Sequence, residues 1–531
     1  MKKILTFTSF LIIVIITINH YQYKKNKDIP LYNGYLKINE NILIIELEDT
    51  NYKIKDKGIY SLIHIYPRKT IKDLYFDLKK NNDVTIMNPK DFIKQESKPI
   101  SPIILLEKVK INELERIKNL KKTNTSIIVL SLNKQVNIMF IESDINSLIH
   151  SSTTKRKGFV KYTDLINIIN ERLVFDYFSI QYIDDPYDKL QAIYKKYILL
   201  CYSRYIILIF IFLQFILFLL SKKNKILFQY YIFLPQLLSS ILGLTLFNNL
   251  NGINKSIIII ITSLIIGATL YYKNFDYQYS MIIILYSNLL FLLYYTFFKI
   301  FLYQSPIGFN NIFNGNRFYG LNNDLIGIFI GSVLGITYIS DINKKNKPLA
   351  LLISMLVIFI ICFSPLYGAN IGGMLNCLLS IIILSIFLES SNYKRIIYIL
   401  FSLIIFIILQ KFFISYDSQQ KLSTHLASFV TLIKNNEFLI ALQIIYTKIN
   451  QVILFLIIPP LNIFLFLELL IIFKDKNIKG YDKLWRNVFF FISLSIILLN
   501  DSGLLSAIIM LFYFVCPYII KNNIFLTIKN N

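Results

Sequence analysis

Cysteine is scarce in this chain. Four occur in 531 residues (Cys201, Cys362, Cys377 and Cys516), all in or beside apolar stretches and none in the polar region 28–196. That excludes a disulfide framework or a cysteine zinc site there. Histidine is equally sparse, and only His64 and His150 fall in that region. Acidic residues are outnumbered, 32 Asp and Glu against 56 Lys and Arg, for a net charge of +24. In a soluble protein this balance would point to nucleic acid. Here the basic residues of the apolar part cluster between apolar runs in the pattern of the positive-inside rule, so no nucleic-acid partner is expected.

Hydrophobic residues make up 55% of the chain, with 43 Phe and 36 Tyr. Apolar runs of about 20 residues recur, the length that crosses a bilayer. Met1-Lys2-Lys3 followed by an apolar run reads as an uncleaved signal anchor over 1–22. Region 28–196 is expected to be one exported α/β domain. Its strands are marked by the runs at 41–48, 101–107 and 126–132, and its helices by the three-and-four spacing at 70–81 and 111–122.

From residue 197 onward the apolar runs predict eleven membrane helices, near 197–220, 226–248, 256–272, 278–301, 324–340, 349–363, 371–389, 396–413, 451–473, 487–500 and 503–520. Residues 521–531 form a cytoplasmic tail. The expected fold class is thus an integral membrane protein, all-α and polytopic with about twelve transmembrane helices, carrying one exported α/β domain. The expected location is the cell membrane, with membrane lipids as partners.

The segment 305–331 breaks into Gly, Pro and Asn and places Arg317, Asn322, Asn323 and Asp324 ahead of an apolar run. Polar backbone at a membrane boundary is costly unless it is folded into protein or lines a wet cavity, so this is the candidate working site. A second irregular stretch, 363–373, contains Asn370. A third, 415–451, has amphipathic character, reads as helices on the bilayer surface and holds His425.

These residue types suit the binding of a lipid-linked diphosphate and the deprotonation of an acceptor hydroxyl. Arg317, Arg204 and Lys299 are candidate phosphate ligands. Asp324 or His425 is the candidate base, while Asn322, Asn323 and Asn370 are candidate substrate-binding residues. No metal or cofactor is implied. Each residue has a plainer role to set beside this: a headgroup anchor for Arg317, a helix N-cap for Asp324, a surface histidine for His425.

The segment GNRFYGLNNDLIGIFIG resembles the Arg-x-x-Gly…Asn motif of O-antigen polymerases and ligases, with Arg317, Gly320 and Asn322 or Asn323 matching and the Pro between the two Asn absent. The resemblance implies a membrane glycosyltransferase acting on a lipid-linked glycan. The chain also looks like a little-characterised group of bacterial membrane proteins with RFYG, GAN-x-GG and NDSG motifs, here Arg317 to Gly320, Gly368 to Gly373 and Asn500 to Gly503. In that group the exported domain resembles the alkaline phosphatase superfamily, through SSTTKRKGFVKYTDLINII (151–169) and TIMNPK (85–90). Two histidines are too few for that superfamily's metal centre, so a degenerate domain is implied, with Glu48, Asp49 and Thr50 as relics of a metal ligand and nucleophile. A transporter or flippase of a lipid-linked or anionic substrate, and a non-catalytic envelope-assembly scaffold, are the rival readings.

Overall fold

The computed structural model describes residues 36–37, 39, 41–48, 56–65, 69–94, 101–120, 125–132, 136–144, 146–151, 154, 156–171, 173–174, 178–220, 252–272, 281–282, 284–286, 288–289, 320–339, 356, 360, 368, 370–419, 438–457, 459–474, 478, 480–500 and 503–522. These residues divide into two compact units between Ile198 and Leu199.

The first unit is built on twelve strands: β1 (Leu36–Lys37), β2 (Asn41–Leu47), β3 (Gly58–His64), β4 (Val84–Met87), β5 (Ile103–Val109), β6 (Thr125–Leu130), β7 (Val136–Glu142), β8 (Ser147–Ser151), β9 (Arg156–Lys157), β10 (Phe159–Lys161), β11 (Leu173–Val174) and β12 (Phe178–Tyr182). Its helices are α1 (Ile71–Lys79), α2 (Pro89–Lys94), α3 (Ile111–Asn119) and α4 (Tyr162–Glu171). Ten strands form one mixed sheet in the order β12-β8-β3-β7-β6-β2-β5-β4, with β9 and β10 paired to β8 and β3. β4, β5, β2 and β6 run parallel, and β7 is antiparallel to β6 and β3.

Side chains alternate along β2. Ile42 and Ile44 enter one core with Leu74 and Leu78 of α1 and Leu165 of α4, while Leu43 and Ile45 enter the other with Leu114 and Ile117 of α3. With both faces covered, a strand reads as a continuous apolar run, which is why ILIIE carries no visible alternation. Thr70 caps α1 by accepting from the Asp73 amide, and Asp73 accepts in return from the Thr70 amide.

The second unit is helical. Its elements are α5 (Pro186–Leu220, which begins in the first unit), α6 (Gly252–Tyr272), α7 (Asn323–Ile339), α8 (Ile371–Leu388), α9 (Asn392–Gln419), α10 (Phe438–Ile457), α11 (Leu461–Lys474), α12 (Gly480–Leu499) and α13 (Gly503–Asn522). α13 is the hub and packs against α7, α11 and α12. All of α7 except Thr337 is buried. Gly327 lets α7 and α13 meet, because a Cβ there would collide with the Ser506 carbonyl oxygen.

The expectation of an all-α polytopic protein with about twelve transmembrane helices is corrected by these findings. Among the described residues only Pro186–Ile216 and Ile371–Leu388 are long and apolar enough to cross a bilayer, and the first unit is built on a ten-stranded mixed sheet. Run length and composition do not separate a lipid-facing span from a short buried helix. α7 has 17 residues and α11 has 14, and α7 is enclosed by protein. The expected helix over 451–473 is instead two, since the turn at Pro459 and Pro460 separates α10 from α11. Proline lacks the amide that would continue the ladder.

Candidate functional site

Three stretches far apart in sequence meet in the helical unit: 320–324, 368–373 and 500–506. The Leu321 amide donates to the Gly368 carbonyl at 2.7 Å. Asn370 then ties the stretches together. Its Oδ1 accepts from the Gly373 amide at 2.9 Å and caps α8. Its Nδ2 donates to the Leu321 carbonyl at 2.8 Å and to Asn323 Oδ1 at 3.0 Å. With both amide hydrogens used, Asn370 acts as a positioning residue. The Ser506 hydroxyl donates to the Asn323 carbonyl at 2.6 Å. Gly372 faces Asn500 so closely that a Cβ would collide with the Asn500 Oδ1.

Asn322 occupies the position before α7. Its carbonyl accepts from the Leu325 amide at 3.1 Å and its Oδ1 from the Asn323 amide at 2.7 Å. Asn322 thus stands at the cap position, with the Asp324 carboxylate in the first turn. Asp324 Oδ2 pairs with Arg204 Nη2 of α5 at 2.6 Å and lies 3.4 Å from Asn322 Nδ2. Asp324 is 2% exposed, and its second oxygen, Oδ1, is enclosed with no hydrogen-bond partner. The first turn of a helix favours a carboxylate at this place. Arg204 follows Ser203, which is hydrogen-bonded to Ser256 and so joins α5 to α6.

No family model, curated protein or solved structure matches the chain.

The structure thus gathers Arg204, Asn322, Asn323, Asp324 and Asn370. Arg317, Lys299 and His425 lie outside the described residues. Ser506 and Asn500 were missed by sequence reasoning as members of this cluster. The late NDSG motif was the available signal, but nothing in it names a partner 180 residues earlier. Two further buried polar contacts follow the same helices, Asn288 to Ser332 at 3.3 Å and Ser495 to Asn376 at 3.2 Å.

In the sheet unit, Ser151, Thr154 and Asp164 make contacts that hold the fold. The Ser151 hydroxyl donates to Asp164 Oδ2 at 2.8 Å, and the same oxygen accepts from the Lys161 amide at 2.8 Å. Thr154 donates to the Phe159 carbonyl at 2.8 Å. Burial pulls the Lys161 ammonium below its ordinary range, partly offset by Asp164. Thr85 pairs with Ser101, and Asn88 accepts from the Lys90 amide at the start of α2. Glu48 is exposed after β2, while Asp49 and Thr50 lie outside the described residues. Among the described residues no three His, Cys, Asp or Glu side chains come together in a way that can hold a metal ion.

Proposed function

We propose that the helical unit sits in the cell membrane and that its Arg204–Asp324 pair serves a glycan polymerase or ligase that uses a lipid-linked sugar donor. One observation carries this reading. A buried carboxylate with one bound and one unpartnered oxygen stands 2.6 Å from a guanidinium, inside a cluster of asparagines. Arginine grips diphosphate oxygens as a planar fork, and carboxylates accept protons from hydroxyls.

In the reaction, the acceptor hydroxyl oxygen attacks the anomeric carbon of the donor sugar. The bond from that carbon to the diphosphate oxygen breaks, and its electron pair leaves on the diphosphate. The hydroxyl proton passes to Asp324. Arg204 first holds Asp324 as a carboxylate and then exchanges it for the diphosphate. This exchange releases the base only when donor is present. Asn322 and Asn323 orient sugar hydroxyls, and Asn370 fixes Asn323.

The membrane setting is supported by the outward faces of the helices. Leu400, Phe401, Ile404, Ile407 and Ile408 of α9 are all exposed, as are Leu439 and Leu442 of α10. An apolar surface of this extent is tolerated by lipid and not by water. In this reading the sheet unit lies outside the cell and the C-terminus inside.

The test is Arg204→Lys in lipid nanodiscs with a polyprenyl-diphosphate sugar and its acceptor. Lysine keeps the charge beside Asp324 but cannot form two parallel hydrogen bonds. Turnover is expected to fall by on the order of 10²–10³, with the protein still folded and inserted. Wild-type turnover in that variant removes Arg204 from the reaction. In cells lacking the protein, donor accumulating in the outer leaflet fits a transferase, whereas accumulation in the inner leaflet points to a flippase.

A further inference from the structure

A second buried charge-bearing side chain lies elsewhere in the helical unit and has no part in that reaction. Glu468 stands mid-way along α11 and is fully buried. Both carboxyl oxygens are enclosed and neither makes a hydrogen bond. One turn earlier, Phe464 stacks on Phe212 of α5 at 4.2 Å between ring centroids. Phe215 of α5 lies between Phe464 and Phe512 of α13, at 6.1 and 5.1 Å. One turn beyond Phe512 on the same helix is the buried Cys516. Among the described residues no cation and no second carboxylate bears on Glu468, and the cation at the end of its own helix is Lys474.

An ionised carboxylate enclosed without a donor or cation costs more than a whole protein's stability. Glu468 is therefore carried as the neutral acid. A neutral acid that bonds to nothing does not hold helices together, and an apolar side chain of the same size would pack there at lower cost. Its distinctive property is the proton.

We propose that Glu468 is a proton-exchange site in the junction of α5, α11 and α13. The O–H bond breaks with its electron pair left on the carboxyl oxygen. The proton passes to a water molecule that enters when the junction opens, and closure follows reprotonation. The ligand of this site is the proton itself. This inference stands whether or not the Arg204–Asp324 pair transfers sugars.

Infrared spectra of the full chain in lipid nanodiscs test it, because they need no known activity. Wild type should show the carbonyl band of a protonated carboxyl that is missing from Glu468→Gln. Transfer into deuterium oxide should shift that band. Identical spectra for wild type and Glu468→Gln mean that the acid is ionised, and this sinks the proposal. A band that stays unshifted after prolonged exchange sinks it as well, since the proton is then locked in. Should Glu468→Gln fail to fold, Glu468→Asp serves for the assignment. A changed band position supports the proposal, and an unchanged one overturns it.

Discussion

In the sheet unit, Ser151 finds its buried partner Asp164 13 residues along the chain, and Thr154 reaches Phe159 five residues along. In the helical unit, Asn370 reaches back 47 residues to Asn323, and Ser506 reaches back 183 to the same residue. The first arrangement closes a local turn and satisfies its groups. The second joins helices. Buried polar atoms without a hydrogen-bond partner occur in both units, Ser61 Oγ and Ser147 Oγ among them in the sheet unit, but among the described residues only the helical unit has carboxyl oxygens of this kind, Asp324 Oδ1 and both of Glu468. Apolar side chains differ in the same sense. The sheet keeps its Ile and Leu in two covered cores, while α9 and α10 turn theirs outward. The sheet unit also holds long-range polar contacts, such as Asn82 to Asn170 and Tyr162 to Asp77, so separation along the chain does not by itself divide the two units. The unpartnered carboxyl oxygens are where binding and proton chemistry are to be sought, because an unfilled hydrogen-bonding site in a dry interior is costly unless something occupies it.

Asp324→Ala gives the largest break in this comparison. It removes the carboxylate from the Arg204–Asp324 pair, so the helical unit should lose about 3 kcal/mol. Hydrogen exchange followed by mass spectrometry should show faster exchange in peptides of α7 and α8 and none in those of the sheet unit. Equal acceleration in both units would remove the distinction between them.

Ser151→Ala is the counterpart in the sheet. It takes one donor from the buried Asp164 while the Lys161 amide remains, at a cost of about 1–2 kcal/mol. A denaturant melt of the full chain monitored on sheet peptides should record that loss, with α7 and α8 unaffected. A cost near zero would mean that the segment is not the structural fixture described above.

The smallest effect concerns Glu46 of β2. Burial raises its carboxyl above the ordinary range, opposed by the Lys108 amide and aided by the neighbouring Glu107. A carboxyl raised by folding binds its proton more tightly in the folded state. Its contribution is full below the unfolded value and is lost as pH rises through the folded one. Glu46→Gln should therefore be more stable than wild type at neutral pH, with the difference closing in acid. A gap that opens in acid instead would mark Glu46 as a bound carboxylate.

Much of the sheet was legible in the sequence because its signals are local. The run at 41–48 contains β2, those at 101–107 and 126–132 overlap most of β5 and β6, and TIKDLYFDLKKN contains α1 with its capping threonine. The order of the strands was not legible, since β2 lies between β5 and β6, both of which come later in the chain. Of the site, the irregular composition around Asn322–Asp324 and Asn370 was visible. Its geometry was not.

By itself the sequence determined where the chain is apolar, roughly where β2, β5, β6, α1 and α3 lie, and which stretches break the apolar pattern with Gly, Pro and Asn. Those properties follow from side-chain chemistry within one or two turns. Only the tertiary structure decided that Arg204 meets Asp324, that Asn370 is spent on Leu321 and Asn323, and that α7 is enclosed by protein. Hydropathy is a property of each helix alone, whereas burial and pairing depend on which helices stand beside it, and here the contacts reach across 47 to 183 residues of chain.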